Sequence, residues 1–127
     1  MTNDRFLRRS LLLDGVASGL TGLLLVAASG PISRLIGLAM PAIAFAVGAM
    51  LVVYAAALVW NGRRHVVSRA EAVAEVVLNA AWVPGSAVVI VDGPLTLLGN
   101  VAVAAIAAAV LLFLVLEVEG LRRFRAA

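Results

Sequence analysis

Four apolar runs, at about 6–29, 41–60, 70–91 and 94–121, take up most of this chain. Each reaches the ~20 residues needed to cross ~30 Å of hydrocarbon. Arginines mark their ends in alternation. Arg5, Arg8 and Arg9 precede the first run, Arg63, Arg64 and Arg69 separate the second from the third, and Arg122, Arg123 and Arg125 follow the fourth. Arg34 alone falls at an odd boundary. Basic residues collect on the cytoplasmic side of a membrane. The pattern predicts four crossings in a single orientation, with both termini cytoplasmic. In lipid each backbone group must be satisfied within its own segment, so the runs are expected to be helices. The expected fold class is all-α, a four-helix transmembrane bundle forming one integral membrane domain over 1–127.

Of the 127 residues, 64% are apolar, and the mean hydropathy is +1.11. Soluble domains are about 45–50% apolar, and a domain this small leaves too much surface exposed to hide the surplus. The lipid bilayer is therefore the expected partner. The absence of cysteine excludes disulfides, thiolate nucleophiles and Cys-ligated metals. His65, the single histidine, excludes a multi-His metal site and a bis-histidine haem within one chain. No cofactor or metal is expected. The pI near 11.1 would suggest nucleic acid in a soluble protein. Here the arginines are spread over membrane-edge segments, so no nucleic-acid partner is expected. All ten basic residues are Arg, which, with the Ala, Val and Gly richness, suggests a GC-rich bacterial genome and a cell inner membrane. The first run has the Arg-rich start and the Ala27-Ala28-Ser29 end of a signal peptide, but its apolar core exceeds the usual ~7–15 residues. It is read as a retained span.

Turn chemistry separates the runs. Ser29-Gly30-Pro31 ends the first, and Asp92-Gly93-Pro94 ends the third, with Pro94 expected to begin the fourth helix. The linker at 31–40 is amphipathic and expected at the outer interface, where Arg34 can snorkel. Trp60 falls where interfacial aromatic rings prefer to sit. A faint repeat relates 23–37 to 88–99 and 58–64 to 118–123. It would make two parallel two-helix units about an axis along the membrane normal.

Polar residues inside apolar runs are expensive and each needs an account. Asp14, Ser18 and Thr21 share a helix face at i, i+4, i+7, beside Gly15, Gly19 and Gly22 in small-xxx-small spacing. Two readings stand: a packing seam in which Asp14 bonds a neighbouring Arg or Asn, or a proton- or ligand-binding carboxylate. Glu75, Asn79, Trp82 and Ser86 form a second stripe at i, i+4, i+7, i+11. Pro84 lies within it, removes a hydrogen bond near Ala80 and predicts a kink. This stripe is either helix–helix glue or the wall of a small polar cavity with Trp82 as its lid or floor. Glu117 and Glu119 fall just before Arg122 and Arg123 and are expected to pair with them at the headgroups, although Glu117 could also face inward beside Asp14 and Glu75. Tyr54 lies deeper on the second run and could reach the same centre. Thr96 and Asn100 form a separate pair near the outer surface. The candidate polar cavity, opening to the cytoplasm, thus comprises Asp14, Ser18, Tyr54, Glu75, Asn79, Trp82 and Glu117.

The chain carries no Ser-His-Asp set, no His-Glu-x-x-His and no Walker-type phosphate loop. Its segments LLLDGVASGLTGLLL (11–25), LIGL (35–38), VVYAAALVW (52–60), VLNAAWVPGSAVVI (77–90) and EVEGLRR (117–123) resemble small four-span bacterial membrane proteins of the DoxX type in size and plan. That resemblance implies a four-helix bundle and offers no substrate. Small multidrug exporters also have four short spans and a carboxylate in the first. Their first-span signature is absent here, and their antiparallel dimers need a weak charge bias, unlike nine arginines against one. The functional expectation is a non-enzymatic accessory or scaffold subunit, packing as a homo-oligomer or in a larger membrane complex. The alternative is a small transporter or lipophile-binding protein with a cytoplasm-facing polar cavity.

Overall fold

A computed structural model describes residues 4–126, with side chains through Phe124, so the side chain of Arg125 lies outside the described residues. The described residues form five helices: α1 (Arg5–Ala27), α2 (Ser29–Ile36), α3 (Pro41–Arg63), α4 (Arg69–Asp92) and α5 (Leu97–Ala126). The protein is all-helical, and α1, α3, α4 and α5 are each long and apolar enough to span a membrane. Polar backbone is thereby enclosed within each segment, as hydrocarbon requires.

The bundle consists of two antiparallel pairs, α1 with α3 and α4 with α5. The first pair is held by small residues that bring backbones together. Gly22 and Gly48 face one another so closely that a Cβ on either would lie 2.7 Å from the other's carbonyl oxygen. Gly15 meets Val59 and Ala55, and Gly62 meets Leu12. The small-xxx-small face of α1 is thus used inside the chain. The pairs join mainly through α1 against α5, where Gly120 sits on the backbone of Leu7. By contrast α3 and α4 scarcely touch.

All three arginine clusters gather at one end of the bundle, the end at which α1 and α4 begin and α3 and α5 finish. Arg8 donates from Nη1 to the carbonyl oxygens of Gly62 (2.7 Å) and Arg64 (2.6 Å). These belong to the last turn of α3, where carbonyls lack intrahelical partners and the helix dipole favours a cation. Its Nη2 binds Asp4 at 2.8 Å. Replacing Arg8 by Ala is expected to cost about 1.5 kcal/mol. Hydrogen exchange should accelerate in the last turn of α3 and stay unchanged at the Gly22–Gly48 contact. Arg69 donates to the carbonyl oxygen of Leu121 (3.2 Å), and Arg123 lies 4.3 Å from the centroid of the Phe6 ring. Ser68 caps α4 by accepting from the Glu71 amide. Asn61, fully buried, exchanges two hydrogen bonds with the Ser68 backbone.

At the opposite end two expectations are corrected. Ser29-Gly30-Pro31 is not an open turn. The chain breaks only at Ala28, then forms α2, with Pro31 in its first turn where no N–H is needed. Ser33 is buried while Arg34 and Leu35 are exposed, which fits the amphipathic reading. Gly37, at φ 88°, closes α2 in the left-handed conformation that favours glycine. Pro94 does not begin the fourth span either. Thr96 does so, as an N-cap whose Oγ1 accepts from the Gly99 amide at 3.1 Å. Thr96 also donates to the carbonyl oxygen of Leu35 and, through its amide, to that of Ile36. The segments paired by the sequence repeat therefore differ here. One ends in a separate helix and the left-handed Gly37, whereas the other is extended before the helical Gly99. Within α4 the helix continues through Pro84 without a break.

Candidate functional site

Along every span the side chains change character at the same level. Nearest the arginine end is an apolar cluster of Leu7, Leu11, Leu58, Val67, Ala72 and Leu121. One to two turns further in lies a polar layer: Asp14 on α1, Tyr54 on α3, Glu75 and Asn79 on α4, and Glu117 on α5. From Leu7 to Asp14 is seven residues, or roughly 10 Å of helix. Asp14, Glu75, Asn79 and Glu117 are 2%, 4%, 4% and 0% exposed. Their burial follows from the stripes: i, i+4, i+7 spacing turns Asp14 and Ser18 to one side of α1, and Glu75, Asn79 and Trp82 to one side of α4.

Asn79 is the hub. Its Nδ2 donates to Asp14 Oδ2 at 3.0 Å and to Glu117 Oε2 at 2.7 Å. Its Oδ1 accepts from the Tyr54 hydroxyl at 2.8 Å, a proton shared with the Glu75 carbonyl oxygen at 3.1 Å. Both amide hydrogens and the amide oxygen are thereby used. Ser18 Oγ donates to Asp14 Oδ1 at 2.9 Å. One amide thus ties all four spans together. Glu117 Oε1 and Glu75 Oε2 have no hydrogen-bond partner among the described residues. No basic side chain pairs with Asp14, Glu75 or Glu117 among the described residues.

Beyond this layer, away from the arginine end, the four spans part around a cavity of about 630 Å³. Asp14, Ser18, Tyr54 and Asn79 form its polar end. Trp82 and Phe113 lie among the otherwise apolar wall. Trp82 Nε1 has no partner among the described residues. Met50, Val53 and Leu78, on the rim, are 54%, 71% and 58% exposed, so the cavity opens sideways between α3 and α4, where those helices scarcely meet.

Of the seven residues singled out in the sequence, five line the cavity: Asp14, Ser18, Tyr54, Asn79 and Trp82. Glu75 and Glu117 belong to the polar layer behind them and do not reach the lining. Two expectations change. The cavity is largely apolar and does not open at the arginine end, because the Leu7–Leu11–Leu58–Leu121 cluster closes it there. Among the described residues Glu117 does not pair with Arg122 or Arg123. Glu119 takes those, pairing with both at 3.0 Å each, while Glu117 faces inward to Asn79. Phe113 escaped notice in the sequence although it lies one turn from Glu117 on the same face of α5. Thr96 is tied to α2, outside this site.

Among the described residues no three His, Asp or Glu side chains converge as metal ligands. What remains is a hydrogen-bonded acidic end facing a hydrophobic chamber. Compared with protein-family models, with curated proteins and with solved structures, the chain has no match.

Proposed function

We propose that this is a non-enzymatic, multi-pass protein of the bacterial inner membrane, with both termini cytoplasmic, that binds a lipophilic small molecule inside the bilayer. One observation carries the reading: a cavity of about 630 Å³ bounded by Asp14 and Trp82 and open sideways between α3 and α4. The volume lies within the roughly 300–1,000 Å³ of small-molecule sites. An apolar chamber with a polar end suits an amphipathic guest whose tail replaces lipid contacts. A guest dissolved in the membrane would enter between α3 and α4 without crossing water. The alternating arginines support the orientation.

The second reading is an accessory subunit, a homo-oligomer or part of a larger complex. Its support is α5, whose apolar stretch is almost entirely unburied, leaving a long face for a partner helix. The small-residue seam of α1 gives it no support, because α3 already occupies that face.

Purification in native nanodiscs followed by mass spectrometry separates the two. A retained lipophile, lost in a variant that fills the chamber such as Ala109→Trp, is the expected result. A stoichiometric protein with no retained small molecule would favour the subunit reading.

A further inference from the structure

The donors and acceptors at the polar end of the chamber are unequally used. Ser18 spends its hydroxyl proton on Asp14, and Thr21 spends its own on the carbonyl oxygen of Ala17 (2.9 Å). Tyr54 spends its proton on Asn79 and Glu75, and Asn79 spends both amide hydrogens on Asp14 and Glu117. What these groups still present to the chamber is lone pairs: those of Asp14, Ser18, Thr21 and Tyr54. The donor left over is Trp82 Nε1. Immediately behind stand two further carboxyl groups, Glu75 and Glu117, each at least nine-tenths buried and each with one oxygen lacking a partner among the described residues. No basic side chain pairs with Asp14, Glu75 or Glu117 among the described residues, so this end of the chamber brings together three acidic side chains and no cation. The chamber also holds the aromatic rings of Tyr54, Trp82 and Phe113, whose faces attract cations.

We propose that the guest is a cationic amphiphile, a protonated alkyl amine in chemical class, with its ammonium against Asp14 and its tail in the chamber between α3 and α4. This rests on the lipophile-binding reading and adds the head group to it. An ammonium offers three donors and no acceptor, the complement of what the polar end presents. A carboxylate or phosphate head would set acceptor against acceptor beside three buried acids.

The probes are three molecules with one tail: dodecylamine, 1-dodecanol and dodecanoate. The protein in nanodiscs carries Trp60→Phe, which leaves Trp82 as the single indole and lies outside the chamber. Quenching of Trp82 is followed against mole fraction of probe in the bilayer, with empty discs for reference. Dodecylamine is expected to saturate at a mole fraction about tenfold below that of dodecanol, and dodecanoate to show no saturable quenching. In Asp14→Asn, which keeps the shape of the side chain, amine and alcohol should become equal. Equal binding of amine and alcohol by the unaltered site, or tighter binding of dodecanoate, overturns the cationic head while leaving lipophile binding intact. No saturable quenching by any of the three overturns both. The comparison among probes needs no variant of the acidic residues, so it decides the matter even if Asp14→Asn does not fold.

Discussion

Replacing Asn79 by Leu is expected to destabilise the bundle by about 3–5 kcal/mol, since buried groups left unpaired cost ~1–3 kcal/mol each. The change removes the donor shared by Asp14 and Glu117 and the acceptor of Tyr54 together. Leu is close in size, so little of the loss would come from an unfilled space. The sharper test is the triple variant. With Asp14→Leu and Glu117→Leu added, both acceptors of the amide are gone and Tyr54 keeps the Glu75 carbonyl oxygen, so most of the lost stability should return, since removing both partners of a buried bond is far cheaper than removing one. Thermal or SDS unfolding of the purified protein measures both. A triple variant as unstable as Asn79→Leu would mean that the amide acts by shape alone. The preference for an amine over an alcohol should be lost in the triple variant, so stability and head-group selectivity separate there.

A second large effect is expected at Gly48. A Cβ there would meet the Gly22 carbonyl oxygen at 2.7 Å, the Leu25 Cβ at 2.7 Å and the Val26 amide nitrogen at 2.9 Å. Two of the three are backbone atoms, which cannot swing away. Gly48→Leu must push α1 and α3 apart along the longest contact in the fold, at a cost of about 3 kcal/mol. Because Asp14 and Tyr54 ride on those same two helices, the polar layer should loosen with the seam. Gly85→Ala is the control. A Cβ at Gly85 meets nothing within 4 Å, so relief of glycine's helix penalty should leave that variant equal or more stable by about 0.5–1 kcal/mol. Equal melting of the Gly48 and Gly85 variants would show that the α1–α3 approach is not limiting.

Much of the architecture was legible in the chain because lipid imposes simple rules. Run length gave the number of spans, and hydrocarbon leaves a lone segment no backbone option but the helix. Helical spacing put Asp14 with Ser18, and Glu75 with Asn79 and Trp82, on common faces. The ends of the helices were less legible. Pro94 and Thr96 both carry start signals for a helix, and the choice fell to Thr96, whose hydroxyl and amide reach α2 while its Oγ1 accepts from Gly99. Glu117 was ambiguous for a similar reason. Arginines within reach in sequence favour pairing at the headgroups, but Glu119 takes those, and Gly120 on Leu7 packs α5 so closely on α1 that Glu117 is turned into the layer with Asn79.

The sequence by itself determined that this protein is helical and suited to the membrane, which residues would share each helix face, and that all three arginine clusters would meet at one end. Local spacing and the solvent decide those things. Tertiary structure alone decided which faces meet. It spent the small-residue seam of α1 on α3, joined the carboxyl groups of α1 and α5 on one amide of α4, and sealed the arginine end with leucines. It also left a chamber where α3 and α4 part. Those features depend on pairings between residues 65 positions apart, as in Asp14 with Asn79, and further, as in Leu7 with Gly120, and no periodicity within a single run specifies its partner.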